Sequence, residues 1–325
     1  MTNLFLDRNL ALEAVRVTEA AALSSSLLMG RGDEKAADQA AVNAMRNFLN
    51  NLNINGKVVI GEGERDEAPM LYIGEEVGNK KGPKIDIALD PLEGTTITAQ
   101  GRENALSVIA MASSGGFLHA PDIYMYKIAY GSKFNDLNID PESPVENIIN
   151  ALSKHINIKN ENLVVCILDR PRHKDLIKSV RKTGARIKLI SDGDVSAVIA
   201  TTIEDSGVDL YIGSGGSPEG VLAAAALRSL DGKIYGKLLF ENQEQKERAN
   251  SMGITDFNRI YTTEDMAKGE VMFAATGVTD GTLLKGIRIK QNFATSHSVI
   301  MRSKTKTLRY VEAIHNLEKK PISLK

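Results

Sequence analysis

The chain has 325 residues, 42% hydrophobic and 25% charged, which is globular composition for one large domain or two closely joined halves. Lys and Arg number 40 against 41 Asp and Glu, aromatics are 5% and Trp is absent. No nucleic-acid or membrane surface field is expected from that balance, and no base-stacking platform.

In chain order, the first residues show no basic run followed by an apolar one. No segment approaches the roughly 18 consecutive apolar residues of a membrane helix, so a cytoplasmic protein is expected. Leu12, Val15, Ala22 and Leu23 among helix formers predict a helix over 8–29. A second helix is predicted over 36–52, capped by Asp33 and followed by a turn at Asn55-Gly56. Short strands are predicted at 57–60 and 85–89, and a strand buried on both faces at 105–111.

The stretch 131–144 is rich in Asn, Asp, Ser and Pro. It reads as the joint between two closely packed halves, 1–140 and 141–325. Beyond it, strands at 163–168, 186–190 and 208–212 alternate with helices at 173–183, 194–203 and 218–230. That is the pattern of a parallel sheet flanked by helices. Strands return at 271–275 and 287–301. Cys166, the single cysteine, lies in an apolar run and reads as a buried small hydrophobe in a reducing compartment.

Acidic residues concentrate where strands run out into glycine-rich loops. Glu62 sits between Gly61 and Gly63, and Asp90-Pro91-Leu92-Glu93-Gly94-Thr95 follows a strand. Glu64, Asp66 and Glu67 extend the first loop, Asp33, Glu34 and Asp38 stand at a helix start, and Glu219 follows a glycine-rich turn. Taken singly, Asp33 and Glu34 read equally well as helix caps and dipole partners. Carboxylate oxygens suit Mg²⁺ or Mn²⁺. The five histidines have no ligand-pair spacing, so a zinc site is not expected. The segment Gly213–Gly220 runs from a strand into a helix and can hold an anion on its backbone N–H groups. Arg170-Pro171-Arg172-His173 and Asp192-Gly193-Asp194 follow two other strands. Arginine forks suit phosphate, paired carboxylates suit sugar hydroxyls, and three loops at successive strand ends suggest a shared cleft.

These motifs, with Gly30-Arg31-Gly32-Asp33, Ala37-Asp38, Val59-Ile60-Gly61-Glu62-Gly63-Glu64, Ala120-Pro121-Asp122-Ile123-Tyr124-Met125 and Gly215-Gly216-Ser217-Pro218-Glu219-Gly220, resemble the class II fructose-1,6-bisphosphatases of bacteria over nearly the whole chain. The Asp90–Thr95 segment is also similar to the signature of the lithium-sensitive phosphatase superfamily. The resemblance implies a layered α/β sandwich of two sheets alternating with helices, with 1–140 as a metal-binding half and 141–325 as a sugar-phosphate-binding half. It implies hydrolysis of the 1-phosphate of fructose 1,6-bisphosphate, in gluconeogenesis, with Mn²⁺ or Mg²⁺ as cofactor. It assigns Asp38, Glu62, Asp90, Glu93 and Glu219 to metal, and Thr95, Asp66 and Glu93 to catalysis. Substrate contacts fall to Glu93, Gly94, Thr95, Tyr124, Arg170, Pro171, Arg172, Asp192, Gly193, Asp194 and Gly216. A homo-oligomer, dimer or tetramer, is implied as well.

One departure stands in the first motif. Family members often place Lys directly after Gly-Arg-Gly-Asp, whereas here Glu34 intervenes and Lys35 comes one place later. Alternatives are a phosphatase of sedoheptulose 1,7-bisphosphate or of an inositol phosphate, and a non-catalytic sugar-phosphate sensor. A nucleotide-binding dehydrogenase is disfavoured, because no Gly-x-Gly-x-x-Gly turn follows an early strand.

Overall fold

The computed structural model describes residues 8–63 and 70–320. The chain opens with α1 (Arg8–Ser26), α2 (Glu34–Asn50), β1 (Asn55–Ile60), β2 (Glu76–Val77), β3 (Lys84–Glu93), α3 (Thr95–Ala99) and β4 (Leu106–Ser113). It continues through β5 (Tyr124–Tyr130), α4 (Val145–His155), β6 (Val164–Leu168), α5 (Lys174–Lys182), β7 (Arg186–Ile190), α6 (Asp194–Ala200) and β8 (Leu210–Gly216). Then come α7 (Ser217–Leu230), β9 (Lys233–Leu239), α8 (Gln243–Ser251), β10 (Ile260–Tyr261) and α9 (Thr263–Met266). The last strands are β11 (Val271–Gly277), β12 (Arg288–Lys290), β13 (Phe293–Arg302) and β14 (Thr307–Asn316).

Two compact units result, 1–118 with 267–325, and 119–266. The chain enters the second unit after residue 118 and leaves it after 266, so the polar stretch 131–144 lies inside that unit.

The first unit carries an eight-stranded sheet in the order β12-β13-β11-β4-β3-β1-β2, with β14 paired to β13. Among the described residues of this unit only β1 and β3 run parallel; the other pairs are antiparallel. In α2, Ala37, Ala41, Met45 and Leu49 recur every four residues and are all buried. That stripe and the small residues Ala14, Val17 and Ala21 of α1 pack with Ile85, Ile87, Leu89, Ile109 and Met111 of the sheet. Each fully buried Leu or Ile contributes about 1.5–3 kcal/mol. Asp33 caps α2 as expected, its side chain accepting from Ala36 N at 3.0 Å.

Asn55-Gly56 is not a turn. Both residues lie in β1, where Gly56 pairs with Val77 and Ile85. A Cβ at Gly56 would lie 2.8 Å from Ile87 Cδ1, so this glycine serves close packing.

The second unit carries a six-stranded sheet in the order β10-β9-β5-β8-β6-β7. The strands predicted at 163–168, 186–190 and 208–212 are β6, β7 and β8, and β6 runs parallel to both of its neighbours. The sheet as a whole is mixed, because β5 runs antiparallel between β8 and β9. Pattern reading misses β5, in which Lys127 interrupts the apolar run, and β9, whose buried and half-buried residues alternate. Ile148, Ile149 and Leu152 of α4 and Ile177 and Val180 of α5 pack on Ile128, Tyr130, Val165, Ile167, Leu210 and Ile212. Helices α6 and α7 pack together against the same sheet, where Gly220 of α7 lies over Met125 and Lys127. Each unit thus layers helices on a mixed sheet, the α/β class expected. Cys166 is buried in β6.

Candidate active site

In the first unit, β3 does not stop at Leu89 but runs on to Glu93. Its pairing with β4 shifts register between Asp90 and Glu93. Pro91, which has no N–H for a ladder, falls in this irregularity. Asp90 Oδ1 accepts from Leu92 N at 2.9 Å, which shapes the turn locally. Glu93 is only 4% exposed at the strand end. Gly94 follows with φ +95°, a left-handed conformation that glycine takes without strain, and starts α3. Thr95 is therefore the first helical residue, one place beyond a buried carboxylate.

Helix α3 is tied to the loop before α2. Gly30 N donates to Thr98 O and Gly32 N to Ala99 O, both at 2.9 Å. Asp38 lies in the second turn of α2, and burial pushes its carboxyl above the usual range. Glu62 leaves β1 with its N–H donating to Leu71 O at 3.0 Å. Lys35 is exposed in the first turn of α2. Asp66, Glu64 and Glu67 lie outside the described residues. Among the described residues, no three His, Cys, Asp or Glu side chains are gathered to hold one ion. The donor chemistry itself, all carboxylate oxygen, suits a hard divalent cation.

In the second unit the expected residues meet at the end of β8. Tyr124 is paired with Gly216 across β5 and β8. Arg172 lies with its guanidinium 4.6 Å from the Tyr124 ring centroid and donates from Nη2 to Ser214 O at 2.7 Å. Both contacts pre-orient a side chain able to fork onto phosphate. Pro171 begins the short 3₁₀ turn that carries Arg172, and Gly193, at φ +85°, begins α6. Asp192 accepts from Gly193 N at 3.1 Å and stands 4.0 Å from Arg170 Nη2. Asp194, the first residue of α6, is 6% exposed.

The glycines here make room for carboxylates. A Cβ on Gly215 would lie 2.3 Å from Asp194 Oδ2, and one on Gly216 would lie 2.0 Å from Glu219 Oε2. Glu219 Oε2 is shielded from water and has no hydrogen-bond partner among the described residues. Burial pushes the Glu219 carboxyl up to about 7; the charge of Asp194 adds to this and that of Lys127 opposes it. A buried, unsatisfied carboxylate oxygen of this kind fits a cation ligand.

Lys127, which sequence reasoning passed over, and His173, named there only as the end of the Arg170-Pro171-Arg172-His173 motif, are central to this arrangement. Lys127 of β5 is fully buried; it forms an ion pair with Asp194 and donates to Gly216 O at 2.8 Å. Tyr211 OH donates to the same Asp194 oxygen at 3.3 Å. A lone lysine among apolar and aromatic residues is the signal that marks Lys127 in the sequence. The other residue is His173, which is 3% exposed. Ser214 N donates to its Nε2 at 2.8 Å, so Nδ1 carries the proton and donates to Leu168 O at 2.7 Å. The ring joins the Arg172 turn to the β8 backbone.

His173 sets a pH dependence. Burial, with a smaller contribution from Arg172 and Arg170, holds its pKa below the ordinary value. Below about pH 6.5 the unfolded chain takes up a proton that the folded chain refuses, so stability falls as pH falls. Relative to His173→Gln, wild type should lose urea midpoint between about pH 7.5 and about pH 5.5, whatever the opposing contribution of Glu219 common to both. An equal change in both proteins would remove His173 as a contributor.

An oxygen-rich turn behind a buried glutamate in one unit and an arginine-lined, glycine-backed strand end in the other define equipment for phosphate-ester chemistry. The chain belongs to the bacterial, glpX-encoded fructose-1,6-bisphosphatases, a family matched over residues 8–315. It is 46% identical over 330 aligned positions to fructose-1,6-bisphosphatase 1 class 2 of Escherichia coli strain K12, covering 96% of this chain and 97% of that one. The same identity and coverage hold for the class 2 fructose-1,6-bisphosphatases of Escherichia coli O6:H1 and Shigella flexneri.

Proposed function

We propose that the chain hydrolyses the 1-phosphate of fructose 1,6-bisphosphate, giving fructose 6-phosphate and phosphate, as a step of gluconeogenesis. The observation that carries this is membership of the family across residues 8–315. Water attacks phosphorus, the bond from phosphorus to the C1 oxygen breaks, and that oxygen leaves as a hydroxyl after gaining a proton.

We assign Asp38, Glu62, Asp90, Glu93 and Glu219 to hold Mn²⁺ or Mg²⁺. When bound, a divalent cation supplies charge to phosphoryl oxygens and makes water more acidic. The chain's own residues do the rest. Thr95, fixed at the head of α3, orients the attacking water, with Asp66 as its acidic helper. Glu93 and Gly94 fix the turn that presents Thr95. Arg170 and Arg172 grip the remote phosphate, with Pro171 setting their turn and Tyr124 backing Arg172. Asp192, Gly193, Asp194 and Gly216 meet the sugar. Remote binding energy is then available to position the reacting end.

The same proposal carries a cytoplasmic location and a homo-oligomer, dimer or tetramer. No helix among the described residues is long and apolar enough to cross a membrane.

The test is phosphorus NMR of the product together with steady-state kinetics. Fructose 6-phosphate should accumulate, and fructose 1-phosphate as product would overturn the assignment. Thr95→Ala should lower kcat by about 10²–10⁴-fold while moving KM little. A raised KM at unchanged kcat would move Thr95 to a binding role.

A further inference from the structure

The second unit contains an open cavity of about 1000 Å³ lined by α5, the loop before it and Leu189 of β7. Five cations face it: Arg170, Lys174, Lys178, Arg181 and Lys182. Two acids, Asp169 and Asp175, also line it, so positive charge prevails. Positions 174, 178, 181 and 182 follow helical spacing and share one face; Val180 is buried in the core on the other side, and Ile177, also buried, forms the apolar edge of the cavity. Lys174, Lys178, Arg181 and Lys182 are all exposed. Among the described residues none of these four is held in an ion pair.

A solvated helix face does not account for this pattern. Cations in the last turn, Arg181 and Lys182, are favoured by the helix dipole. Lys174 is the first residue of α5, where the dipole opposes positive charge. Its cation adds to the field of the cavity at a cost to the helix. The lining contains no aromatic side chain, so no base could stack there, and the concave volume suits a small ligand.

We propose that this α5 cavity is a second anion site, separate from the proposed catalytic and substrate residues apart from Arg170 and Pro171 on its rim, and that it takes a small polyphosphorylated molecule. Lysines supply point charges and Arg181 a planar fork, the combination that holds clustered phosphoryl oxygens.

Titration calorimetry of the full chain with inorganic tripolyphosphate, in metal-free buffer, tests it. Wild type should bind, and added salt should weaken the binding. Lys178→Glu with Arg181→Glu should weaken it by about tenfold or more, and Lys178→Gln with Arg181→Gln by less. Both pairs of changes are on exposed side chains, and circular dichroism checks their folding. Binding should persist at saturating fructose 6-phosphate, a monophosphate that occupies the proposed substrate residues. Equal affinity in wild type and the charge-reversed protein would overturn the proposal, as would no binding by wild type. Loss of wild-type binding under saturating fructose 6-phosphate would overturn it too, by putting the probe in the proposed catalytic site without touching the functional proposal. Tighter binding of a single-stranded oligonucleotide through the same two residues would make this a nucleic-acid face and also overturn it.

Discussion

Replacing Lys127 by Met should cost the second unit about 3–5 kcal/mol of stability, because it leaves a buried carboxylate without its partner charge. Lys127 is fully buried, and its ammonium is shared between Asp194 and Gly216 O. Methionine fills much the same volume but offers no charge and no donor. Asp194 would then be left with the Tyr211 hydroxyl and close to Glu219, a second carboxylate whose own ionisation Asp194 already opposes. Urea unfolding of the full chain, followed by circular dichroism, is the measurement. Asp194→Asn on top of Lys127→Met should recover part of the loss, since the orphaned charge goes with it. A Lys127→Met protein within about 0.5 kcal/mol of wild type would mean that the pair contributes nothing beyond volume.

The second large effect is on activity. Glu93→Gln keeps the shape of the side chain and removes its charge. Glu93 is buried at the strand end, directly before the glycine that starts α3. If it holds a cation for the phosphoryl group, turnover of fructose 1,6-bisphosphate should fall by about a thousandfold. The fold should survive, because glutamine preserves the packing volume. Turnover near wild type would take Glu93 out of the ligand set. A protein that loses its circular dichroism signal would show that the charge is structural instead.

How much of this was legible depended on the kind of signal. Strands β6, β7 and β8 and their helices were readable because apolar runs alternate with helical patterns and end in Gly, Pro and Asp. The cap at Asp33 was readable for the same local reason. Strands β5 and β9 were not: their place is set by pairing with β8 and with each other, a non-local fact. Asn55-Gly56 misled because a turn propensity was overridden by the packing of Ile87 against Gly56. The division into units was hidden by sequence order, since β11–β14 return to the sheet that β4 leaves.

Among site residues, Asp90–Thr95 was readable as a motif, while its bulge and the left-handed Gly94 emerge only from pairing with β4. Tyr124, Arg172, Asp194 and Gly216 were named from separate loops, and the fold brings them to one strand end. Lys127 was marked only by its apolar surroundings and His173 only as the end of its motif; their roles were not legible, because each acts on backbone and neighbouring side chains that only the fold supplies.

The central claim is that this chain is a metal-requiring phosphatase of fructose 1,6-bisphosphate. The most direct measurement is phosphate release from fructose 1,6-bisphosphate with Mn²⁺, with Mg²⁺ and with a chelator, beside the same assay on sedoheptulose 1,7-bisphosphate and an inositol phosphate. Release from fructose 1,6-bisphosphate with a divalent ion, abolished by the chelator and absent with the inositol phosphate, is the predicted result. Equal release under chelation, or hydrolysis of the inositol phosphate with fructose 1,6-bisphosphate left intact, would contradict it.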